Sequence, residues 1–407
     1  MKVGIGFSNQ SDSRESGRSV AGQALLKGGI EEPSLVLAFC SSRTDAHVFF
    51  QGLRSIVGDA VPIIGGSAIG VITNSELSYS GHPCGAMVVQ SDKPIFRIAS
   101  CSDLPENEHQ AGRLLAEKLN VQPDDRALLV FYDSIKQTPG DGSPLAMNAS
   151  APLIAGIETG CASPLPIFGA GLIADYGFNP TIQFCGSHVS IRSAVGAVIG
   201  ADITPCYRIM HGCTPLDGIY HRVTRAEGAV IYEFDGEPAV EMIDRLYGSR
   251  EWQKTTPVDL LTIGIYQGEK YSGVEESRYV NRLITGRFPG SEGIGLFEPD
   301  IETGTEVQFM VRDSLKMIES ARSNSADLMA EIESTGRQAL FALYIDCAGR
   351  TAAYSKIAGE EAAEIQKALN RVGCPLLGFY SGVEIAPFLN KSRGLDWTGL
   401  LLVMTGS

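Results

Sequence analysis

A segment of the form proline, two apolar residues and glycine occurs three times in this chain, as PIIGG from Pro62, PIFGA from Pro166 and PLLGF from Pro375. Each copy follows a short apolar run, and the three runs are SLVLAFC from Ser34, ALLVFYD from Ala127 and ALFALYID from Ala339. Runs this short and this apolar are typical of buried strands. Proline is tolerated as the first residue of a strand, and glycine lets the backbone bend or approach a neighbour closely.

A second apolar run, opened by glycine, follows each copy after a polar stretch: GAMVV from Gly85, GAVIG from Gly196 and GLLLVM from Gly399. The pattern therefore predicts a strand, a helix, a second strand and then one or two further strands in each unit. Three similar units at unequal spacing indicate duplicated α/β units rather than a solenoid. We predict an α/β fold, with α+β as the alternative, built from repeated strand-helix-strand units with mixed sheets in two domains.

Helical periodicity predicts helices over residues 13–26, 106–119, 145–158 and 359–370. Thr44 and Asp313 are plausible N-caps of two further helices. The character of the chain changes around residues 215–225, where paired strands, tight turns and a helix replace the repeat. We place the domain boundary there, with residues 1–222 holding two duplicated α/β units and residues 223–407 forming the second domain.

The composition of the chain limits which classes of molecule it can bind. The net charge of −14 argues against nucleic acid or an anionic membrane surface, because both attract clustered Lys and Arg. No apolar stretch approaches the length of a membrane span, and the N-terminus shows no secretory signal. The nine cysteines are scattered without a C-x-x-C pair, which fits reduced thiols. We therefore expect a cytoplasmic protein.

Polar residues collect at three strand ends, where ligands usually bind in α/β units. The candidate ligand-binding residues are Arg43 and Ser67 at the first corner, Asp133 and Asp175 at the second, and Asp346, Cys347, Arg350, Tyr380 and Glu384 at the third. A charge close to a buried strand is costly unless it is paired or functional. The alternative is helix capping together with a structural ion pair, such as one between Arg350 and Glu384.

The third corner carries the sharpest ligand hypothesis. The segments CAGR and GFYSGVE follow or end strands that the repeat makes neighbours, so their side chains can converge. Arg350 offers a planar fork for a carboxylate, Glu384 can pair with an ammonium group, and Tyr380 supplies an aromatic wall. Such a set suits a zwitterion such as an amino acid, although the same residues could pair with each other.

Several short motifs favour structural roles. GAGLIA from Gly169 resembles a dinucleotide fingerprint only in its letters, because no long helix follows it. Ser67 lacks the spacing of a nucleophile elbow. Cys206, His211 and Cys213 do not have a recognised zinc spacing, so we predict no metal site.

Longer motifs resemble one known family. PIIGGSAIG, PIFGAGLIAD and VTRAEGAVIYEFDG resemble the N-terminal module of FIST proteins. FDGEPAVEMIDRLYG, YVNRLI, EGIGLFEPDIETGTEVQFMVRD, CAGR and PLLGFYSGVEIAPF resemble the C-terminal module. The family pattern is close to GFYTYGEI, whereas here Ser381, Gly382 and Val383 precede Glu384, so the glycine has moved by one place.

The resemblance implies a function. FIST modules act as input domains of bacterial signal transduction, with amino acids proposed as ligands, and some relatives bind haem and sense nitric oxide. No part of this chain remains for an output domain, so we expect a separate partner such as a histidine kinase or a cyclic-dinucleotide enzyme. The leading expectation is a non-enzymatic sensor of a small ligand without a cofactor. The alternatives are a haem-binding nitric-oxide sensor and an enzyme that uses Cys347, Arg350 and Glu384. No oligomeric state is predicted.

Overall fold

The three proline-apolar-apolar-glycine segments each form a strand that runs parallel to the apolar run before it. Leu37 lies beside Ile64 in the first pair, Leu129 beside Phe168 in the second, and Leu343 beside Leu377 in the third. The computed structural model describes residues 1–406 except 94, 103, 105, 139–144, 201, 272 and 356. The predicted α/β class with mixed sheets is confirmed.

The first unit has two helices and six strands. Its elements are β1 Lys2–Ser8, α1 Ser13–Gly28, β2 Leu35–Cys40, α2 Ala46–Val57, β3 Ile63–Ser67, β4 Val71–Thr73, β5 Leu77–Ser78 and β6 Cys84–Gln90.

The second unit repeats this order and adds a small hairpin before its second helix. Its elements are β7 Phe96–Cys101, α3 Glu108–Leu119, β8 Ala127–Asp133, β9 Ile135–Gln137, β10 Ala146–Met147, α4 Ser150–Gly160, β11 Ile167–Leu172, β12 Ile182–Cys185, β13 His188–Ile191 and β14 Ala194–Ile199.

The third unit begins with β15 Thr204–Met210, and an inserted region then separates this strand from the rest of the unit. The inserted region consists of β16 Cys213–Pro215, β17 His221–Glu227, β18 Val230–Phe234, β19 Glu237–Pro238, α5 Ala239–Tyr247, β20 Leu261–Tyr266, β21 Tyr279–Arg282, β22 Ile284–Arg287, β23 Ile294–Leu296 and β24 Glu306–Arg312. The unit resumes with α6 Ser314–Ser334, β25 Gln338–Cys347, α7 Ala352–Ser355, α8 Glu361–Arg371, β26 Leu376–Ser381, β27 Val383–Phe388, β28 Lys391–Leu395 and β29 Gly399–Gly406.

Each unit lends a hairpin to the sheet of another unit. The three six-stranded sheets have the orders β1-β6-β2-β3-β12-β13, β7-β14-β8-β11-β27-β28 and β15-β29-β25-β26-β4-β5. The β4–β5 hairpin of the first unit thus completes the third sheet. The β12–β13 hairpin of the second unit completes the first sheet, and the β27–β28 hairpin of the third unit completes the second sheet. This cyclic exchange ties the ends of the three Pro-apolar-apolar-Gly strands together.

The centre of the exchange is an aromatic cluster. The ring of Phe39 stacks on Phe379 with 3.9 Å between centroids, and both rings meet Phe131 edge-on at 5.3 and 5.7 Å. All three side chains are completely buried. One residue from each sheet therefore contributes to a shared hydrophobic core.

The helices of the first two units pack in the same manner. A Cβ atom on Gly17 or Gly52 would collide with the backbone of the other helix of the α1–α2 pair, and the same holds for Gly112 and Gly156 in the α3–α4 pair. Glycine is required at these positions by close approach rather than by an unusual dihedral angle. The similar helix packing in the first two units agrees with the duplication predicted from the sequence. The duplication itself stays a prediction.

The inserted region forms a nine-stranded sheet beside the three units. Its core includes Trp252, whose ring is completely buried and whose Nε1 donates to Asp244 at 2.8 Å. The domain boundary placed near residue 222 falls within β17, and this division stays a prediction.

Of the two N-caps predicted from the sequence, the structure confirms one. Asp313 caps α6 as expected, because its side chain accepts hydrogen bonds from Leu315 and Lys316. Thr44 does not cap α2. The neighbouring Asp45 holds the N-cap position and accepts from the backbone N–H of Val48 at 3.0 Å.

Candidate functional site

The segments CAGR and GFYSGVE lie side by side at the end of the third sheet. Asp346 is the parallel neighbour of Tyr380, and Cys347 is the neighbour of Ser381. Because β25 and β26 are both buried there, these side chains sit at the bottom of the corner rather than on its surface.

Arg350 forms its ion pair with Glu361, the first residue of α8. Its Nε donates to one carboxylate oxygen at 2.5 Å, Nη2 donates to the other, and Nη1 donates to the carbonyls of His211 and Trp397 at 2.8 and 2.7 Å. The guanidinium is buried, and these bonds use most of its five donors. The ion pair that the sequence suggested with Glu384 is therefore replaced by one with Glu361.

Asp346 lies beside this pair, with one oxygen 3.3 Å from Arg350 Nε. Burial raises the pKa of Asp346 well above its usual value, and the Glu361 carboxylate raises it further. Two carboxyl groups that share one guanidinium do not both ionise readily. Burial and the neighbouring Glu361 carboxylate therefore both favour the protonated form of Asp346.

Glu384 reaches the site through the exchanged hairpin, because β27 pairs with β11 and places Glu384 opposite Ala170. Ser381 Oγ donates to one of its oxygens at 2.9 Å, and the N–H of Thr398 donates to the other at 3.3 Å. The side chain is completely buried, and burial raises its pKa well above the usual value.

Tyr380 contacts the first unit's hairpin. Its hydroxyl donates to Glu360 at 3.5 Å, and its ring meets Tyr79 edge-on. Tyr79 donates to the other oxygen of Glu360 at 2.7 Å. Tyr380 is therefore part of the contact between units.

The other four predicted residues lie at separate corners. Buried Asp133 accepts the N–H groups of Ile135 and Arg192. Ser67 Oγ accepts from the N–H of Ile182 at 3.1 Å, Asp175 closes its own turn by accepting from Gly177, and Arg43 is exposed. The structure does not bring these four side chains to the third corner.

A groove of about 680 Å³ runs along the junction between the second unit and the inserted sheet. One wall comes from residues 145–147, 149 and 176–178, and the other comes from residues 229–230, 253, 256, 285–289, 295–297 and 299. A groove at such a junction is a usual place for a small ligand.

A smaller chamber of about 30 Å³ adjoins the groove in the same junction. Tyr176, Phe178 and Phe297 line both the groove and the chamber. The buried residues Cys347 and Trp397 also line the chamber. The predicted third corner thus meets the groove through this chamber.

The inserted sheet contributes buried charges that sequence reasoning passed over. Glu298 accepts the N–H groups of Ser150 and Ala151, at 3.0 and 3.3 Å, and so caps helix α4. Arg282 donates to Asp300 with two nitrogens. Burial raises the pKa of Glu298, and the positive charge of Arg282 opposes that shift.

Asp396 lies where the third unit meets the inserted sheet. One oxygen accepts the N–H of Leu283 at 2.8 Å, and the other has no hydrogen-bond partner among the described residues. Burial raises the pKa of Asp396 from its usual 3.8 to about 7; nearby Arg282 lowers it, and Glu298 raises it. In the sequence, Asp396 stands out as an acidic residue between two apolar strands. Burying a charge at such a position costs free energy unless the charge is paired or has a function.

The thiol of Cys347 and the imidazole of His211 are not arranged as activated groups. Burial raises the pKa of Cys347 well above its usual value, and the Glu384 charge adds to this. His211 uses both ring nitrogens, with Nδ1 accepting from the N–H of Cys213 and Nε2 bonded to the Glu276 carbonyl. Within the described part of the chain, no group of three or more His, Cys, Asp and Glu side chains is arranged to hold a metal.

Comparisons with known proteins bear on identity. A curated protein of Methanocaldococcus jannaschii, described as uncharacterized, is 38% identical over 228 residues, which cover 53% of this chain. The matched region spans 41% of the length of that relative. A solved structure described as PurLQS from Thermotoga maritima aligns over all of this chain and 72% of its own, with 9% identity and a TM-score of 0.23, which is too low to support a conclusion.

No helix among the described residues is both long enough and apolar enough to cross a membrane. The family model for the FIST N domain matches residues 34–237, and the model for the FIST C domain matches residues 239–387. Together they cover most of the sequence. The chain therefore belongs to the FIST family, whose domains are associated with the binding of small ligands in sensory signalling.

Proposed function

We propose that this protein is a cytoplasmic, non-enzymatic sensor that binds a small molecule in the junction groove and signals through a separate protein. A histidine kinase or a cyclic-dinucleotide enzyme is the expected class of partner. The observation that carries the proposal is the groove of about 680 Å³ at the junction of the second unit and the inserted sheet. Its volume lies in the range of small-molecule sites, and its walls are mainly apolar with a few polar groups.

The groove suits a sensor because its two walls belong to different parts of the fold. Glu298 links these parts beneath the groove, where it caps α4. A ligand that contacts both walls can stabilise one relative position of the two parts over another, and only such a difference in affinity shifts a conformational equilibrium. A partner that contacts both parts would sense that shift.

For the ligand we propose an amino acid with an apolar or aromatic side chain. Arg287 lines the groove and can meet a carboxylate, although it now pairs with Glu292. Among the residues predicted from the sequence, Cys347 lines the chamber. We assign Arg350, Asp346 and Glu384 to the support of the chamber floor.

The haem-binding alternative finds less support at this site. None of the described residues lining the groove or the chamber is a histidine. The raised pKa of Cys347 also disfavours the thiolate form that would bind iron. The groove residues therefore do not offer a histidine or a thiolate as an axial ligand to haem.

The enzyme alternative also finds less support. A nucleophilic cysteine needs a lowered pKa or a nearby base, whereas burial and Glu384 raise the pKa of Cys347. Arg350 is held by Glu361, and it contacts the carbonyl of His211 rather than its ring.

Thermal melts with a panel of amino acids test the proposed function. We expect at least one apolar or aromatic amino acid to raise the melting temperature, because a ligand that binds only the folded state stabilises it. Ala229→Trp places a bulky ring in the groove lining and should abolish the shift. Ser323→Trp, on the exposed face of α6, is the control and should retain it. Equal shifts in both variants would refute the groove as the site.

A further inference from the structure

Strand β1 forms an open edge of the first sheet. It pairs with β6 on one side, from Lys2 opposite Gln90 to Ser8 opposite Cys84, and no strand among the described residues pairs with its other side. An unpaired edge presents a row of backbone N–H and C=O groups that another strand can bind. The direction of these groups therefore decides what the edge can bind.

The backbone groups of Val3, Ile5 and Phe7 point away from β6. The carbonyl of Val89, which lies opposite Val3, accepts from the N–H of Ser34 on the far side of β6 at 2.7 Å. Hydrogen-bonded and non-hydrogen-bonded pairs alternate along antiparallel strands. Val3, Ile5 and Phe7 are therefore all in non-hydrogen-bonded pairs, and their N–H and C=O groups face the open side.

The side chain of Gln23 already occupies one position of this edge. Its amide nitrogen donates to the Phe7 carbonyl at 2.9 Å, and its amide oxygen accepts from the Phe7 N–H at 3.4 Å. No hydrogen bond within the described part of the chain satisfies the outward groups of Val3 and Ile5. An amide group thus pairs with the edge at Phe7, and two further residues offer the same pairing to a second chain.

A groove of about 240 Å³, which we call the edge groove, runs along the open side of β1. It is lined by Val3, Gly4, Ile5, Phe7, Lys27, Thr73, Asn74, Ser75, Gly373 and Pro375. Two apolar side chains next to lining residues in sequence are exposed, with Leu26 83% and Val372 55% accessible. Exposed apolar side chains grouped at a groove are typical of an interaction surface.

A strand added at this edge would have two different faces. Helix α1 lies on one face of β1, because a Cβ atom on Gly4 would come within 1.9 Å of the Ala24 carbonyl oxygen. Side chains alternate between the faces of a strand, so Val3 and Ile5 lie on the opposite face and contact the hydrophobic core. The added strand would therefore meet apolar side chains on one face and the end of α1 on the other.

The helix side of the edge groove carries a positive charge. Lys27 is exposed in the last turn of α1 and makes no ion pair with another described residue. None of the described residues that line the edge groove is acidic, although the net charge of the chain is −14. A second copy of this chain would bring the same lining without an acid. The charge of Lys27 therefore favours a different protein that supplies a carboxylate.

We infer that the β1 edge is a docking site for an extended segment of a partner protein in which apolar residues alternate with acidic residues. The segment adds to the first sheet as a further strand beside β1. Its backbone pairs with Val3 and Ile5, its apolar side chains lie on the core face, and its carboxylates meet Lys27. The inference goes beyond the proposed function and does not depend on a ligand in the junction groove.

The probe is a fluorescein-labelled peptide, Thr-Val-Glu-Val-Glu-Val-Thr. Fluorescence anisotropy with the full chain should show it binding about fivefold more tightly than the same peptide with Lys in place of Glu. Lys27→Glu should reverse this preference. Lys391→Glu, which changes an exposed lysine of β28, is the matched control and should retain it.

N-methylation tests the backbone pairing. Successive residues of a strand direct their N–H groups to opposite edges, so methylation of the three valines blocks one edge of the peptide and methylation of the two glutamates blocks the other. One methylated peptide should lose binding, and the other should retain it. Val3→Pro removes one outward N–H at an edge that tolerates proline, so it should weaken peptide binding about fivefold relative to Val3→Ala.

Hydrogen exchange locates the bound peptide without any variant. The amides of residues 2–8 should exchange more slowly when the Glu peptide is present, because Val3 and Ile5 gain hydrogen bonds. Residues 96–101 form β7, an edge strand of the second sheet, and should exchange at an unchanged rate. This readout does not depend on whether Val3→Pro folds.

Absence of binding, equal affinities for the Glu and Lys peptides, loss of binding by both methylated peptides or by neither, or unchanged exchange in β1 would each overturn the inference. Slower exchange of the same amides at high protein concentration without peptide would make a second copy the occupant and would also overturn it. Amino-acid stabilisation and its loss in Ala229→Trp test the proposed function separately, so either proposal can fail without the other.

Discussion

Glu298 caps helix α4 from across the junction, with one carboxylate oxygen 3.0 Å from the backbone nitrogen of Ser150. The other oxygen accepts from Ala151 at 3.3 Å. The N-cap residue of α4 is Ala149, whose side chain offers no acceptor, so the inserted sheet supplies the missing cap. A carboxylate at a helix N-terminus also interacts favourably with the helix dipole. One side chain thus holds together the two parts that form the groove.

Removal of this cap should weaken the whole fold. Glu298→Ala leaves the buried N–H of Ser150 and the partly buried N–H of Ala151 without their acceptor, so the free energy of unfolding should fall by about 2 kcal/mol. Glu298→Gln keeps one acceptor and should lose less. Urea denaturation measures both, with the exposed Glu302→Ala as control. If Glu298→Ala unfolds at the same urea concentration as the control, the cap does not stabilise the protein.

Arg350 should prove to be structural. Arg350→Ala leaves the buried Glu361 without its partner, and breaking a buried pair in this way costs about 3–5 kcal/mol. Arg337→Ala, on the surface, should melt like the parent. A normal melting temperature for Arg350→Ala, combined with loss of amino-acid binding, would instead make Arg350 a ligand contact.

The contribution of Asp396 to stability should fall as the pH rises from about 4 to about 7. The pKa of Asp396 is 3.8 in its usual state and about 7 in the fold, so within this range the folded state binds more protons than the unfolded state. The contribution of Asp396 is therefore greatest at the acidic end of the range, and up to about 4 kcal/mol of it is lost across the range.

Asp396→Asn provides the matched test, because an amide still accepts from Leu283 but cannot ionise. The variant should depend less on pH and should be more stable than the parent above pH 7. Urea denaturation at several pH values measures this difference. Identical pH profiles for parent and variant would contradict the assignment.

The thiol of Cys347 should be unreactive in the folded protein. Burial and the Glu384 charge raise its pKa, whereas Cys206 is only half-buried. Alkylation at pH 7.5 followed by peptide mass spectrometry should therefore modify Cys206 well before Cys347. Preferential labelling of Cys347 would support the enzyme alternative.

The local pattern predicted the parallel strand pairs, because each pair is encoded by an apolar run, a helix and a proline-led strand close together in sequence. It did not predict the hairpin exchange. β4 is apolar and could pair with a strand of its own unit, and nothing in its residues indicates that Ile72 lies opposite Gly378. That choice depends on how the three sheets pack.

For the candidate site, too, the sequence indicated the residues at the ends of local strands but not those that distant segments bring to it. Strand-end reasoning named Cys347, which lines the chamber, and Tyr380 on the neighbouring strand, and their role in binding stays a prediction. It missed Glu298 and Trp397, because these residues follow strands of the inserted sheet and of an exchanged hairpin. It also assigned the wrong partner to Arg350, since Glu361 approaches only when α8 packs on β25.

The most direct test of the junction groove as the ligand site is native mass spectrometry of protein purified under mild conditions. The parent and Ser323→Trp should both carry one small molecule, released on unfolding, whereas Ala229→Trp should carry none. Retention of the same molecule by Ala229→Trp at the occupancy of the parent would contradict the assignment of the groove.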